Sequence, residues 1–328
     1  MNKLVLDEEE KPVLTYEQKV EKARRTLCLA ADMSQTYYNK PLIIAYSGGK
    51  DSDCLLHLAK TTLKPNEFEV LNSHTTIDPP EVVYHIRDTF KRLKEQGVAT
   101  TIRNMPTKDQ TQVTMWDLIV KRGTPPTRIR RYCCVVLKET GAPNRLVALG
   151  VRAAESDKRQ GRDTFGVRGG TYRQATFFSL DHTEEVHHEA KNRDPVWDCT
   201  LIKTMREHGK TVVNPIYEFT DEDLWRYIHE NNIELVDLYE RGYKRVGCIG
   251  CPMATYRQRQ KEFADYPRYK GAWIRAFQRM LDKRKAEGKD DGESWKDGQA
   301  VFEWWMQKYR YTTKGQLTFD VSGDITED

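Results

Sequence analysis

The residues best suited to chemistry in this chain are Ser47–Ser52, where the sequence SGGKDS combines glycine, serine, lysine and aspartate. Two adjacent glycines let the backbone close around a ligand without a Cβ in the way. The lysine adds a positive charge and the serines add hydroxyl donors, which suits a phosphate group. The aspartate is suited to hold Mg²⁺ that is already bound to phosphate. The predicted phosphate-binding residues are Ser47, Gly48, Gly49, Lys50, Asp51 and Ser52.

The residues on either side place this loop between a strand and a helix. Leu42–Tyr46 is an apolar run, and Cys54–Ala59 has helical apolar spacing. The N-terminus of a helix offers unpaired N–H groups and the positive end of the helix dipole, where phosphate binds well. The string differs from the G-x-x-x-x-G-K-[ST] loop of ordinary nucleoside triphosphatases.

Four of the seven cysteines form two pairs whose spacing suits a metal centre. Cys248 and Cys251 form a C-x-x-C turn, and thiolates at that spacing can meet one metal. Cys133 and Cys134 are adjacent, and adjacent side chains on a helix point about 100° apart. The adjacent pair can reach one metal atom only with strain, which favours [4Fe–4S] over zinc. The alternative is that one of the two is a ligand and the other lies in the core. The C-x-x-C turn by itself is also compatible with a dithiol redox pair.

The remaining cysteines are not part of this predicted site. Cys28 and Cys54 lie on apolar faces of predicted helices and are expected in the core, whereas Cys199 has no assigned role. Seven cysteines without an export signal argue against a disulfide framework.

The composition is that of a soluble globular protein, with 38% hydrophobic and 31% charged residues among 328. No apolar run reaches the roughly 18 residues that a membrane helix needs. Met1–Lys11 is too polar and acidic for a secretory signal. We therefore expect a cytoplasmic protein without a membrane partner. The net charge of +4 neither requires nor excludes nucleic acid.

Alternating strand and helix patterns predict an α/β fold, with a parallel sheet of about five strands and helices on both faces. An N-terminal helix at Tyr16–Tyr38 precedes the sheet, and a helical C-terminal region follows it. We expect three parts, at residues 1–39, 40–240 and 241–328. Predicted strands are Leu42–Tyr46, Phe68–Ser73, Val98–Arg103 and Leu146–Val151, with a further regular segment at Val212–Ile216; predicted helices are Asp53–Leu63, Pro80–Gln96, Met115–Lys121 and Arg128–Thr140.

Residues 154–209 show little periodicity, and a loop of this length is commonly functional or mobile. Arginines alternate there with aromatic residues, which suits either a polynucleotide or a solvated loop that closes over substrate. Three histidines lie among glutamates, where a solvated charged loop is a simpler interpretation than a second metal site. These arginines are Arg159, Arg162, Arg168 and Arg173, and the histidines are His182, His187 and His188.

Several motifs, in order along the chain, resemble the phosphoadenosine phosphosulfate (PAPS) reductase family. Ser47–Ser52 resembles the PP-loop of the ATP-pyrophosphatase superfamily that includes this family. Gly150–Arg159 is similar to the family's G-x-R-x-x-E-S-x-x-R stretch. Asn214–Ile216, followed by Asp223–Ile228, resembles its N-P-[LI] motif and the next helix. The paired cysteines are similar to the cluster ligands of the [4Fe–4S] adenylyl-sulfate reductases.

This resemblance covers roughly residues 40–252 and implies a fold of the adenine-nucleotide alpha-hydrolase type. It implies that ATP, adenylyl sulfate or PAPS binds at the PP-loop, with a [4Fe–4S] cluster near the phosphate end. The implied catalytic residues are Lys50, Asp51 and Arg152, and the implied cluster ligands are Cys133, Cys134, Cys248 and Cys251.

The resemblance also assigns roles to residues outside the loop. Arg152 and Arg159 would complete the anion site, because arginine makes bidentate contacts to phosphate or sulfate. Glu155 would orient one of these arginines. Ser73 and His74, at the end of the second predicted strand, would lie near the adenosine.

The chain departs from the reductases of this family in one respect. Those enzymes use a cysteine in a Glu-Cys-Gly-x-His motif near the C-terminus as the nucleophile, and no cysteine follows Cys251 here. Family members without that motif include sulfur-inserting proteins of DNA phosphorothioation systems and CRISPR-associated reductase-like proteins. We therefore expect ATP-dependent adenylation of an acceptor with pyrophosphate release, followed by sulfur transfer.

Two other functions stay open from the sequence. One is reduction of adenylyl sulfate or PAPS to sulfite, and the other is a nucleotide-sensing or interaction module with a structural cluster. Besides the adenine nucleotide and Mg²⁺, the expected partners are a nucleic-acid acceptor and a sulfur donor protein, either a cysteine desulfurase or thioredoxin.

Overall fold

The computed structural model describes residues 14–104, 112–139, 141–155, 164–168, 210–289 and 295–307. The chain divides into two compact units. The first unit comprises residues 1–112 and 133–248, and the second comprises residues 113–132 and 249–328. The division differs from the three expected parts, because the N-terminal helix belongs to the first unit and residues 113–132 belong to the second.

A six-stranded sheet lies at the centre of the first unit, in the order β3-β2-β1-β4-β6-β5. The strands are β1 (Leu42–Ala45), β2 (Phe68–Ser73), β3 (Ala99–Arg103), β4 (Leu146–Ala148), β5 (Phe165–Arg168) and β6 (Lys210–Val213). Five strands run parallel, and β5 pairs antiparallel with β6. The predicted five-stranded parallel sheet is confirmed, and an antiparallel edge strand is added within the stretch that was expected to be irregular.

The central strands explain why helices flank the sheet. Leu42, Ile43 and Ile44 are all buried along β1, as are all three residues of β4. Consecutive buried residues in a strand require cover on both faces, which is typical of parallel sheets. The helices are α1 (Tyr16–Tyr38), α2 (Lys50–Thr62), α3 (Pro80–Glu95), α4 (Met115–Arg122), α5 (Tyr132–Cys134), α6 (Asp221–Glu230), α7 (Tyr256–Asp265), α8 (Pro267–Ala286) and α9 (Gly298–Met306).

Two expectations for helical residues are corrected. The helix predicted at Arg128–Thr140 is reduced to the short α5, which continues as a π-helical turn at Val135–Glu139. Adjacent β-branched residues at the start of that turn lose side-chain freedom in a regular α-helix. Cys54 is buried as expected, but Cys28 is exposed, because it lies about 100° around α1 from the buried Leu27.

Tryptophan packing forms the core of the second unit. The fully buried Trp273 of α8 contacts Trp305 of α9 at a centroid distance of 4.4 Å. Trp116 of α4 packs edge to face against the Trp273 ring, with 5.4 Å between the ring centroids. Aromatic pairs at these distances add to the free energy gained from burial. This packing is the reason that residues 113–132 belong to the C-terminal unit. Among the described residues, we find no helix whose length and apolar character would let it cross a membrane.

Gly298 allows α9 to approach the backbone of α8, and this contact gives a test of the packing. A Cβ at Gly298 would lie 2.5 Å from the Ile274 carbonyl oxygen and 2.7 Å from the Gln278 nitrogen. Gly298→Ala should therefore destabilise the chain by about 1–3 kcal/mol, because backbone atoms must shift. Gly271→Ala in α8 is the matched control, since its Cβ would meet only the flexible end of Arg275.

We expect the control to be neutral or to stabilise the chain by up to about 1 kcal/mol, because alanine is the better helix former. Urea unfolding of both variants measures the difference. Equal free energies of unfolding would contradict the close approach of the two helices.

Candidate functional site

The Ser47–Ser52 loop connects β1 to α2, as the sequence predicts. Gly48 adopts φ +70°, and a Cβ there would lie 3.0 Å from Ile86 Cγ1. The Ser52 hydroxyl holds the loop, because its oxygen accepts the N–H groups of Ser47 and Gly49 at 3.2 Å. It also donates to the Gly49 carbonyl at 2.8 Å. The loop is therefore closed around Ser52, with the N-terminus of α2 beside it.

The three predicted catalytic residues lie next to one another. Arg152 Nε donates to Asp51 Oδ1 at 2.5 Å, and Lys50 Nζ lies 3.4 Å from Asp51 Oδ2. Arg152 Nη2 also donates to Asp221 Oδ1 at 2.8 Å. Lys50 is 9% exposed and Arg152 only 1%. The partly buried Asp51 carboxylate, whose side chain is 19% exposed, thus lies between two cations. A second carboxylate, Asp221, which the sequence analysis missed, pairs with Arg152.

Arg152 is held in place by several protein groups. Burial opposes its charge, but the carboxylates of Asp51 and Asp221 more than offset that effect and raise its pKa. Arg152 Nη1 donates to the Phe219 carbonyl at 3.3 Å, and the Arg152 N–H donates to Glu155 Oε2 at 3.3 Å. Its guanidinium thus has protein acceptors in Asp51, Asp221 and Phe219, and its role in the anion site stays a prediction. Glu155 accepts the backbone N–H of Arg152 within the same turn, and its expected role in orienting an arginine stays a prediction.

The Asp51 carboxylate does not present the ligand set expected for Mg²⁺. One of its oxygens faces Arg152 and the other faces Lys50. Across the ranges that the structure describes, no group of three or more His, Cys, Asp or Glu side chains is placed to hold a metal ion. Magnesium at Asp51 would need both contacts to rearrange.

Ser73 and His74 lie at the carboxyl end of β2, beside the end of β1. His74 Nδ1 pairs with Gln112 Nε2 at 2.9 Å, and the His74 N–H donates to the Arg103 carbonyl at 3.0 Å. Because β1 and β2 are parallel neighbours, this end of β2 shares an edge of the sheet with the Ser47–Ser52 loop. Their predicted role near adenosine is consistent with that position and stays a prediction.

The predicted cysteine ligands are divided between the units. Cys133, Cys134 and Cys248 belong to the first unit and Cys251 to the second. Cys248 Sγ donates to Thr75 Oγ1 at 3.3 Å, just beyond the end of β2. As stated for magnesium, the described residues contain no assembled metal site. The cluster and its four cysteine ligands therefore stay a prediction.

The second unit anchors its half of the C-x-x-C turn through buried polar groups. The Gly250 N–H donates to Glu262 Oε2 at 2.7 Å, and Trp273 Nε1 donates to the Ile249 carbonyl at 3.3 Å. Burial lowers the pKa of Arg259 to about 10, an effect that Cys251 and Glu262 partly offset. The turn is thus fixed by its own unit.

Tyr239 is a site residue that the sequence analysis did not identify. Its hydroxyl oxygen accepts the N–H of Lys50 at 2.9 Å, although the two residues are 189 positions apart. Burial raises the pKa of Tyr239, so the phenol is neutral near pH 7. No local pattern in the sequence points to this contact.

Several predicted residues lie outside the described residues. Arg159 is one of these, so its role in the anion site stays a prediction. The others are Arg162, Arg173, His182, His187, His188 and Cys199.

Comparison with protein families finds a match to the phosphoadenosine phosphosulfate reductase domain over residues 41–254. The adenosine 5'-phosphosulfate reductase of Anoxybacillus flavithermus is 22% identical over 77% of this chain and 88% of its own length. Subunit 2 of the sulfate adenylyltransferase of Caulobacter sp. is 26% identical over 60% of this chain and 59% of its own. An uncharacterized protein of Methanocaldococcus jannaschii is 22% identical over 78% of this chain. The chain spans half the length of that archaeal protein.

Two solved structures resemble the chain only distantly. The PAPS reductase of Candida auris superposes with a TM-score of 0.39 at 14% identity, covering 73% of this chain and 97% of that one. The U34-tRNA thiolase NcsA of Methanococcus maripaludis, solved with its [4Fe-4S] cluster, gives 0.39 at 15% identity, covering 89% and 91%. Superpositions at this level carry no information about shared chemistry.

The pairing of Arg152 with Asp51 gives a stability test. Arg152→Ala should lower the free energy of unfolding by about 1–3 kcal/mol, because it leaves one oxygen of the partly buried Asp51 carboxylate without its donor while Lys50 still faces the other. Asp221→Asn is the matched control at the other end of the guanidinium, where the carboxylate side chain is 72% exposed. The control should cost at most about 1 kcal/mol, as exposed ion pairs do. Urea unfolding followed by circular dichroism compares them, and equal losses would contradict the assigned role of Asp51.

Proposed function

Because the chain belongs to the phosphoadenosine phosphosulfate reductase domain family, we propose that it binds ATP with the pyrophosphate against the Ser47–Ser52 loop and adenylates an acceptor. The observation that carries this proposal is the geometry at the start of α2. The N–H groups of the loop, the Lys50 ammonium and the positive end of the α2 dipole lie close together. Beside them, the buried Arg152 holds Asp51. Adenylyl sulfate or PAPS offers the same kind of phosphate group to this loop.

The proposed reaction is a displacement at the α-phosphorus of ATP. An acceptor oxygen forms a bond to this phosphorus while the bond to the bridging oxygen breaks. The electron pair of the broken bond leaves with pyrophosphate, and the acceptor's proton passes to solvent. Lys50 and the loop N–H groups stabilise the charge that develops on pyrophosphate. Asp51 and Arg152 hold the first turn of α2 and keep Lys50 in place.

The names of the relatives support two related chemistries. One relative is a sulfate adenylyltransferase subunit, and adenylation is the step proposed here. Another is an adenosine 5'-phosphosulfate reductase, which supports reduction to sulfite as the second candidate. We favour adenylation followed by sulfur transfer, because residues 252–328 hold no cysteine that could act as the reductase nucleophile. A nucleotide-sensing module is the third candidate, and it predicts binding without turnover.

For the acceptor and the sulfur donor, we propose the class of molecule and not its identity. A nucleic acid is the proposed acceptor, and a cysteine desulfurase or thioredoxin is the proposed donor protein. After adenylation, a sulfur nucleophile from the donor would displace AMP from the activated acceptor carbon. No described residue of this chain is assigned to that step.

The role of Lys50 is tested by pyrophosphate release from ATP in the presence of candidate acceptors. We expect Lys50→Ala to lower the rate on the order of a hundredfold, because it removes a group that stabilises the leaving charge. Lys60→Ala is the matched control, since Lys60 is an exposed lysine at the other end of α2.

The identity of the product separates the candidate functions. The chain could release sulfite from adenylyl sulfate or PAPS with a thiol donor and release no pyrophosphate from ATP. This result would contradict the proposed adenylation and support the reductase function. An unchanged rate of pyrophosphate release in Lys50→Ala would contradict the loop assignment.

A [4Fe–4S] cluster is the proposed cofactor, with Cys133, Cys134, Cys248 and Cys251 as its ligands. Thiolates at these positions suit iron, but the described residues show no assembled site, so binding would have to order them. When bound, such a cluster supplies a site for sulfur or electrons.

The cluster is tested by iron and sulfide analysis after anaerobic purification. The unaltered chain should carry about four iron atoms, and Cys248→Ser should lose most of them. Cys28→Ser is the control, because Cys28 is an exposed cysteine on α1. A colourless protein with stoichiometric zinc would contradict the cluster and weaken the proposed sulfur transfer.

A further inference from the structure

Tyr239 occupies a hydrogen-bonding position that a phosphate oxygen of the proposed nucleotide would use. Its hydroxyl oxygen accepts the Lys50 N–H at 2.9 Å. Lys50 is the first residue of α2, and the first N–H groups of a helix have no partner within the helix. These are the donors that bind phosphate at helix N-termini. One of them is therefore already used within the chain.

The same side chain covers other parts of the loop. Lys50 Nζ lies 5.9 Å from the centroid of the Tyr239 ring, within the range of a cation–π contact. A Cβ at Gly49 would lie 3.4 Å from the Tyr239 hydroxyl oxygen, so the hydroxyl also lies against the backbone of the turn. Tyr239 thus contacts the Lys50 N–H, the Lys50 ammonium and the backbone at Gly49, which are the groups that would face a pyrophosphate.

Tyr239 is held in this place by its neighbours. Trp225 meets its ring edge to face, at 6.0 Å between centroids and an interplanar angle of 89°. The Tyr239 N–H donates to the Val236 carbonyl at 3.3 Å. Leu238, just before it, and Tyr243, four residues after it, are both buried. The hydroxyl therefore stays near Lys50 unless a stronger acceptor replaces it. Phosphate oxygens are stronger acceptors than a neutral phenol, because they carry charge.

We propose that Tyr239 is a built-in competitor for the pyrophosphate of the nucleotide, which must displace the phenol from the Lys50 N–H in order to bind. This inference rests on the proposed function, since it takes the Ser47–Ser52 loop as the pyrophosphate site. Its consequence is that the chain binds pyrophosphate compounds less tightly than the loop alone would allow. Ligands without a pyrophosphate gain nothing from the displacement.

The test is calorimetric titration of the full chain with inorganic pyrophosphate and with ATP. Tyr239→Phe removes the competing oxygen and keeps the ring, so both ligands should bind about two- to tenfold more tightly, the range expected for one net hydrogen bond. Tyr227→Phe is the matched control, because it removes a buried phenol oxygen that pairs with His57 Nδ1 at 3.0 Å, away from the loop. Its affinities, and the affinity of every variant for adenosine, should not change.

The outcomes separate this inference from the proposed function. Tyr239→Phe could bind pyrophosphate more weakly than the unaltered chain, or equally well, while the unaltered chain still binds it. This result overturns the inference that Tyr239 competes with pyrophosphate and leaves the proposed nucleotide site in place. Failure of the unaltered chain and all variants to bind either ligand overturns the proposed function and the competitor with it. If circular dichroism shows that Tyr239→Phe is unfolded, Tyr239→Leu tests the same competition, because it also removes the phenol oxygen.

Discussion

The carboxylate of Asp51 is the contact on which the rest of the site depends. It joins the start of α2 to the turn after β4, because its two oxygens face Lys50 and Arg152. Arg152 is almost completely buried, and a buried guanidinium without a carboxylate partner would be strongly destabilising. The pair therefore constrains two loops at the same edge of the sheet. A Cβ at Gly150 would lie 2.9 Å from the Asp51 carbonyl oxygen, which shows how closely these loops pack.

The groups suited to phosphate are occupied by the protein itself. Asp51 is the acceptor for the two cations, and Tyr239 is the acceptor for the Lys50 N–H. Nucleotide binding at this site would thus be an exchange of acceptors, in which phosphate oxygens replace a phenol and compete with a carboxylate. The free energy of binding would be the difference between two sets of hydrogen bonds and not the sum of the new ones.

The division into two units bears on the cysteines. The boundary falls between Cys248 and Ile249, inside the C-x-x-C turn. Cys248 donates to Thr75 at the carboxyl edge of the sheet, whereas the residues after it are fixed by Glu262 and Trp273 in their own unit. Spacing in the sequence therefore identifies candidate ligands without showing that they are assembled. Metal binding and folding are commonly coupled for such sites.

Features that depend on neighbouring residues can be predicted from the amino-acid sequence. The strand, turn and helix around Ser47–Ser52 follow from an apolar run, a glycine that accepts φ +70° and a helical period, all within about twenty residues. The parallel sheet follows from the alternation of such segments, and the confirmed family follows from motifs in a fixed order.

Only the tertiary structure decided which distant side chains complete the site. Arg152 lies 101 positions from Asp51 and 69 from Asp221, and Tyr239 lies 189 from Lys50. Local periodicity carries no information about contacts at such separations, because they depend on how the strands are ordered and where each loop leaves the sheet. The burial of Arg152 and its pairing with Asp51 were decided in the same way.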